Sequence, residues 1–246
     1  EAINEVRKEF SNLEITNEDG GAINIASQKV NLTLSYCRFS SCKASNGGAI
    51  YINYAGSGLL VCNIANTDFL NCQSDKNGGA IYVKITQKDK HSATFEQCLF
   101  YQNKAGKNGG AIYAEARDEL IINNCIFTGN SISDKNYNGS TIYCIVGWDQ
   151  GSDPNNSLIL TNNHFIFSPD ANNGVNVHIQ SSKISDENTK ENANVYIGGC
   201  LFDSTNPDYQ DFKHLDIYPI SKGFKSINFI SCNCVKQSSS TVSVQK

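Results

Sequence analysis

The stretch Asn46-Gly-Gly-Ala-Ile-Tyr51 decides the fold. It recurs at Asn77–Tyr82 and again at Asn108–Tyr113, a period of 31 residues. Weaker copies stand at Gly20–Asn24 (GGAIN), Asn138–Tyr143 (NGSTIY) and Asn173–His178 (NGVNVH), with a faint last one at Lys213–Tyr218. Self-similarity at a fixed period of about 20 to 50 residues marks a chain built from stacked units, each unable to bury its apolar face alone.

A second signal runs in step with the first. Each copy is followed by a phenylalanine: Phe39, Phe69, Phe100, Phe127, Phe165, Phe202 and Phe229. Three residues later stand Cys42, Cys72, Asn103, Asn130, Ser168, Thr205 and Cys232. Five residues earlier stand Leu34, Ile64, Phe95, Ile122, Leu160, Ile197 and Phe224, a column apolar throughout.

Within a unit the apolar residues alternate. Ile23 and Ile25 flank Asn24; Val30, Leu32 and Leu34 alternate with Asn31, Thr33 and Ser35; Cys37 and Phe39 flank Arg38. Alternation with period two means strands with one face buried. Three short parallel strands per unit of about thirty residues describe a right-handed parallel β-helix, an all-β solenoid of about seven coils. The glycine pairs fall where the backbone must bend sharply or approach another backbone. The solenoid spans residues 17–235. Residues 1–16 form an N-terminal cap, where Ile3, Val6, Phe10 and Leu13 have helical spacing and predict a short capping helix. Residues 236–246 read either as a linker or as the start of a further coil.

Composition bounds the function. The net charge of −4 favours neither nucleic acid nor an anionic membrane as partner. Only three arginines occur, Arg7, Arg38 and Arg117, which argues against arginine-rich phosphate recognition. No apolar run reaches the 18 residues or so of a transmembrane helix. Of the ten cysteines, Cys37, Cys98, Cys125 and Cys200 share one column of the repeat, and Cys42, Cys72 and Cys232 another. Parallel neighbours lie about 4.8 Å apart, within reach of a disulfide. Cys42 with Cys72 and Cys98 with Cys125 are therefore candidate bridges, although the favoured reading is that they are small buried hydrophobes. Asn31, Asn138 and Asn155 open N-x-Ser/Thr sequons and are candidate glycosylation sites for a secreted chain.

If the isoleucines of the repeat point inward, their successors point outward. Tyr51, Tyr82, Tyr113 and Tyr143 then form a ladder on the outer surface, continued by His178 and Tyr218 and shared by Ala49, Ala80 and Ala111. An exposed aromatic stripe is a candidate binding face; the competing reading is that the stack only stabilises the coils. Loops of uneven length, longest at Gly147–Ser157 and Gln180–Asn192, leave one edge and build a ridge that carries the lone Trp148, a second candidate contact.

Catalytic patterns are weak by comparison. Asp68 shares its column with Arg38, Leu99, Ile126, His164 and Leu201, so no carboxylate pair follows from the register. Asp75 and Asp216 are isolated, and the four histidines lack metal-ligand spacing. No catalytic residue, metal or cofactor is expected.

The alternation of GGAI with FxxN resembles the repeats of the polymorphic outer-membrane proteins of chlamydiae, and related repeats in surface proteins of some protist parasites. The residues that carry the likeness are Gly47–Tyr51, Gly78–Tyr82, Gly109–Tyr113, Phe100–Asn103 and Phe127–Asn130. It covers residues 20–140 well and the rest loosely, and Cys42 and Cys72 depart from it. The resemblance implies a β-helical, surface-exposed or secreted adhesin that binds a protein or glycan without catalysis. The alternatives are a structural repeat that self-associates in a coat or filament, and a polysaccharide lyase or hydrolase of the pectin-lyase-like type.

Overall fold

The computed structural model describes residues 2–26, 31–54, 60–85, 92–116, 119–147, 157–166, 175–181, 193–204, 213–218, 224–236 and 241–244. These residues form an all-β parallel solenoid. Three sheets of eight strands run its length, and every pairing within them is parallel and between neighbouring coils. The tyrosine sheet begins with Ile23–Ala26, Ile50–Tyr54, Ile81–Ile85, Ile112–Ala116 and Ile142–Val146. The middle sheet carries Asn31–Ser35, Val61–Ala65, Ser92–Glu96, Glu119–Asn123 and their successors. The phenylalanine sheet carries Arg38–Ser40, Asp68–Leu70, Leu99–Tyr101, Ile126–Thr128 and onward. A small fourth sheet joins Lys43–Ala44, Gln73–Ser74, Lys104–Ala105 and Ser131–Ile132, so four coils have a short extra strand beyond the three expected.

The register repeats the sequence period. Ile50, Ile81, Ile112 and Ile142 stand opposite one another, as do Tyr51, Tyr82, Tyr113 and Tyr143. Inside, the phenylalanines form one continuous stack from Phe10 to Phe202, with ring centroids 4.7–5.0 Å apart and planes within 4–10° of parallel. Each such pair contributes about 0.5–1.5 kcal/mol beyond the area it buries.

The two glycines of each pair serve different ends. The first lies in the left-handed region, with φ +57° at Gly47 and +65° at Gly78. The second is packed against backbone: a Cβ on Gly79 would lie 2.0 Å from the carbonyl oxygen of Gly110. The second glycine is thus a matter of space between coils; the first must be left-handed and is crowded as well, a Cβ on Gly47 lying 2.1 Å from the carbonyl oxygen of Ile50.

The Phe-x-x-Asn motif also has a direct cause. At the corners after Phe69 and Phe100 the strand ladder is interrupted, leaving backbone groups to be satisfied. The Asn103 amide donates to Phe69 O (2.9 Å) and its oxygen accepts from Cys72 N (2.9 Å). Asn130 does the same with Phe100 O and Asn103 N. Where cysteine replaces asparagine the thiol points to the same carbonyls, Cys42 to Phe10 O and Cys72 to Phe39 O.

Three expectations need correction. The N-terminal residues form no helix: Ala2–Val6 pairs with Asn31–Ser35, and Glu9–Ser11 with Arg38–Ser40. Phe10 opens the phenylalanine stack, so its burial demands a strand and corner where its spacing fitted a helix. The last unit is also framed differently. Phe229 pairs with Ile197 and Cys232 stands one coil beyond Cys200, five residues from the expected alignment. Finally, Ala49, Ala80 and Ala111 are buried in the core, because the bend at the glycine pair ends the in–out alternation before it reaches them. Thr241–Val244 pairs with Lys213–Tyr218, so the segment after 236 contributes a further strand.

Candidate functional site

The outer face of the tyrosine sheet holds the densest set of aromatic and titratable side chains in the described residues. Tyr51, Tyr82, Tyr113 and Tyr143 stack at 4.9–5.4 Å, with planes within 19° of parallel, and His178 continues the column at 4.9 Å from Tyr143. The ladder expected from parity therefore exists, but it is less open than a free stripe. Tyr51 and Tyr82 are half-buried, while Tyr113 and Tyr143 retain only 7% and 8% of their exposure. Each ring face lies against the next ring, so the column presents its phenol edges outward.

The neighbouring column, two residues on, holds those edges. Asn53 Nδ2 donates to the Tyr51 hydroxyl at 3.1 Å. The Tyr113 hydroxyl donates to Glu115 Oε1 at 2.5 Å, and Glu115 Oε2 pairs with Lys84 Nζ at 2.6 Å. The Tyr143 hydroxyl donates to Gln180 Oε1 at 2.8 Å. The Tyr82 oxygen makes no hydrogen bond among the described residues. Burial raises the phenol pKa along the column: Tyr143 is pushed up to about 12. Tyr82 and Tyr113 are raised further, by burial first and then, at Tyr113, by its hydrogen bond to the Glu115 carboxylate.

Beyond Tyr143 the column ends in a histidine–carboxylate pair. His178 Nδ1 lies 3.0 Å from Asp216 Oδ2, both side chains being buried. Sequence reasoning missed this pair. It set Ile217 opposite Val177 and hence Tyr218 opposite His178, whereas Leu215 stands opposite Val177 and Asp216 opposite His178. Leu215 and Ile217 are both apolar and two apart, so alternation alone could not choose between the registers. Lys84 with Glu115 was also missed, although the tyrosine register already places them on adjacent coils.

Cys37, Cys42, Cys72, Cys98, Cys125 and Cys200 are buried at corners between strands, and Cys62 and Cys144 within strands. Cys37, Cys42, Cys62, Cys72, Cys98, Cys125, Cys144, Cys200 and Cys232 are free thiols. The candidate bridges Cys42–Cys72 and Cys98–Cys125 are not formed; Cys98 and Cys125 point to Ile64 O and Phe95 O one coil away. The two neighbouring thiols influence each other: the Cys72 thiol holds the pKa of Cys42 below its ordinary value, and the Cys42 thiol, with burial, raises that of Cys72. Burial pushes Cys62 and Cys144 up to about 12.

Of the sequon asparagines, Asn138 is exposed, and Asn31 is half-buried with its Oδ1 accepting from Val61 N at 3.1 Å. Asn155, Trp148 and most of the loop ridge lie outside the described residues. Among the described residues no three potential metal ligands come together, and no helix is long and apolar enough to cross a membrane.

Comparison with known proteins adds one finding. Neither the curated proteins nor the solved structures contain a match to this chain. The family profile of the right handed beta helix region matches residues 1–165 of the 246. With its parallel coils, in-register columns and this match, the chain belongs to the right-handed β-helix family.

Proposed function

We propose that this chain is a non-catalytic, extracellular or cell-surface binding protein of the adhesin kind, and that the tyrosine sheet recognises a glycan. The observation that carries the reading is the edge-on phenol row. Rings stacked on one another have no free faces for sugar rings, but they set hydroxyls at intervals of about 4.9 Å along a flat sheet. Such a row matches a ligand that is itself rich in hydroxyls, and the neighbouring Asn53 and Lys84 add donors to it. The unpartnered Tyr82 hydroxyl is the centre of the site. The likeness to the chlamydial GGAI/FxxN surface proteins supports the same reading.

The acids of this face favour binding over hydrolysis. Among the described residues Glu115 and Asp216 are its two buried carboxylates, and they stand three coils apart. At about 4.8 Å per coil that is roughly 14 Å, beyond the separation of about 5–9.5 Å at which paired carboxylates cleave glycosides.

The test is a polysaccharide panel scored for retention and for new reducing or unsaturated ends, with Tyr82→Phe beside the wild type. Retention without product, weakened about tenfold by loss of one ligand hydrogen bond in Tyr82→Phe, is expected. Product formation would make the protein an enzyme. No retained saccharide, or equal binding by the variant, would remove the tyrosine sheet as a glycan site and leave a protein partner or self-association as the function.

A further inference from the structure

A second recognition site lies at the corner between the middle and phenylalanine sheets, away from the tyrosine face. Eight residues stack there in the left-handed conformation, from Arg7, Tyr36 and Asn66 through Gln97, Asn124 and Asn162 to Gly199 and Ser231. Short polar residues and glycine suit that conformation. Tyr36, at φ +55°, does not, for a bulky aromatic there is strained. Nor does burial compensate it, because Tyr36 is 60% exposed. An aromatic ring held at an unfavourable corner and left in solvent is placed for something outside the chain.

Its surroundings say what. Tyr36 stands in a groove of about 370 Å³ that also takes in Arg7, Lys8, Arg38, Asn66 and Asp68. Two of the three arginines of a chain of net charge −4 therefore meet here. Arg38 is already committed, its Nη2 lying 3.0 Å and its Nε 3.3 Å from Asp68 Oδ2. Glu9 also lines the groove, in the same column as Arg38. Arg7 and Lys8 are exposed and make no ion pair among the described residues. The groove thus combines an open aromatic face with two uncommitted cations, one of them a guanidinium that can grip a carboxylate with two hydrogen bonds.

We propose that this corner binds an acidic sugar of a glycan: the pyranose ring lies on Tyr36, and its carboxylate is held by Arg7 with Lys8 beside it. The site is independent of the tyrosine face, and either can fail without the other.

The test uses a glucuronate-containing oligosaccharide and the same oligosaccharide with its carboxyl groups reduced to alcohols. Binding is measured by calorimetry to the whole chain and to the variants Arg7→Gln and Tyr36→Asn. Both replacements put at this corner a residue type that other coils already carry there, Gln97 and Asn66, so the fold is kept. The acidic oligosaccharide is expected to bind, the reduced one to bind far more weakly, and each variant to lose about tenfold in affinity. Equal binding of the two oligosaccharides, or variants that bind as the wild type does, would overturn the proposal. So would capture of an acidic peptide in place of the saccharide.

Discussion

Gly79 and Gly129 show that a left-handed backbone and a close backbone contact are different demands on a residue. Gly129 has φ +69°, but its corner column elsewhere carries Asn12, Ser41, Asn71 and Gln102 at φ 52–54°. A Cβ there would crowd only the Gln102 side chain, its Cγ at 2.9 Å, the nearest backbone atoms lying at an ordinary 3.6 Å. Gly79 is not left-handed, yet a Cβ there would meet backbone atoms of Gly110 and Lys104 at 2.0–2.7 Å. Gly79→Ala is therefore expected to lower stability by about 3 kcal/mol, the upper end for overpacking. Gly129→Asn is expected to cost less than about 1 kcal/mol, because asparagine tolerates that region. Urea denaturation of the two variants checks the contrast. Equal losses would mean that conformation, and not the spacing of coils, is what the glycine pairs protect. The repeated pair was legible in the sequence; which glycine bends and which one yields space was not, because both read simply as glycine.

At the scale of the strand and its corner, the asparagine ladder is the device most open to test. Asn103 satisfies one carbonyl and one N–H that the turn leaves over, and it does so at no exposure. Asn103→Leu keeps roughly the volume and abandons both partners, and is expected to cost about 2–4 kcal/mol, the sum of two unsatisfied buried groups. Thermal denaturation of Asn103→Leu beside Asn103→Cys separates the two bonds, since cysteine keeps a weak donor for Phe69 O but no acceptor for Cys72 N. A leucine variant as stable as the cysteine one would mean that water or a shifted corner satisfies these groups. The motif was visible as a spacing of phenylalanine and asparagine, and its chemistry follows once a corner is known to sit there. The element that sequence reasoning lost was the first one. Ile3, Phe10 and Leu13 recur at intervals a helix would share, and the corner at Arg7 restarts the strand alternation without any glycine to announce it.

Across the whole molecule, the same burial that orders the columns makes the fold sensitive to alkali. Tyr143, Cys62 and Cys144 are raised to about 12 and Cys200 to about 11, chiefly by burial. Tyr82 and Tyr113 are raised as well. A folded pKa above the unfolded one adds stability that is complete below the unfolded value, about 8.5 for a thiol and 10 for a phenol, and that fades as pH climbs to the folded value. Stability is thus expected to hold steady at neutral pH and to fall from about pH 9 to about pH 12. Urea midpoints across that range, read together with tyrosinate absorbance, check it. Phenolate from the ladder should appear only as the chain unfolds; full titration of all 11 tyrosines near pH 10 in the folded protein would show the column to be open to water. The parallel solenoid itself was legible in the 31-residue period. The His178–Asp216 pair was not, because pairing in the late coils is set by three-dimensional register after the glycine landmarks are lost.

The partners in every column are about one coil apart in sequence: Asn46 receives Asn77 N, and Asn77 receives Asn108 N, each 31 residues on. During synthesis, then, a newly made coil finds the template for its strands, its phenylalanine and its asparagine in the segment translated just before it. Closing each coil fixes only a short loop, and the order of translation becomes the order of assembly. A nascent chain of this design can settle as it leaves the ribosome, without waiting for its far end.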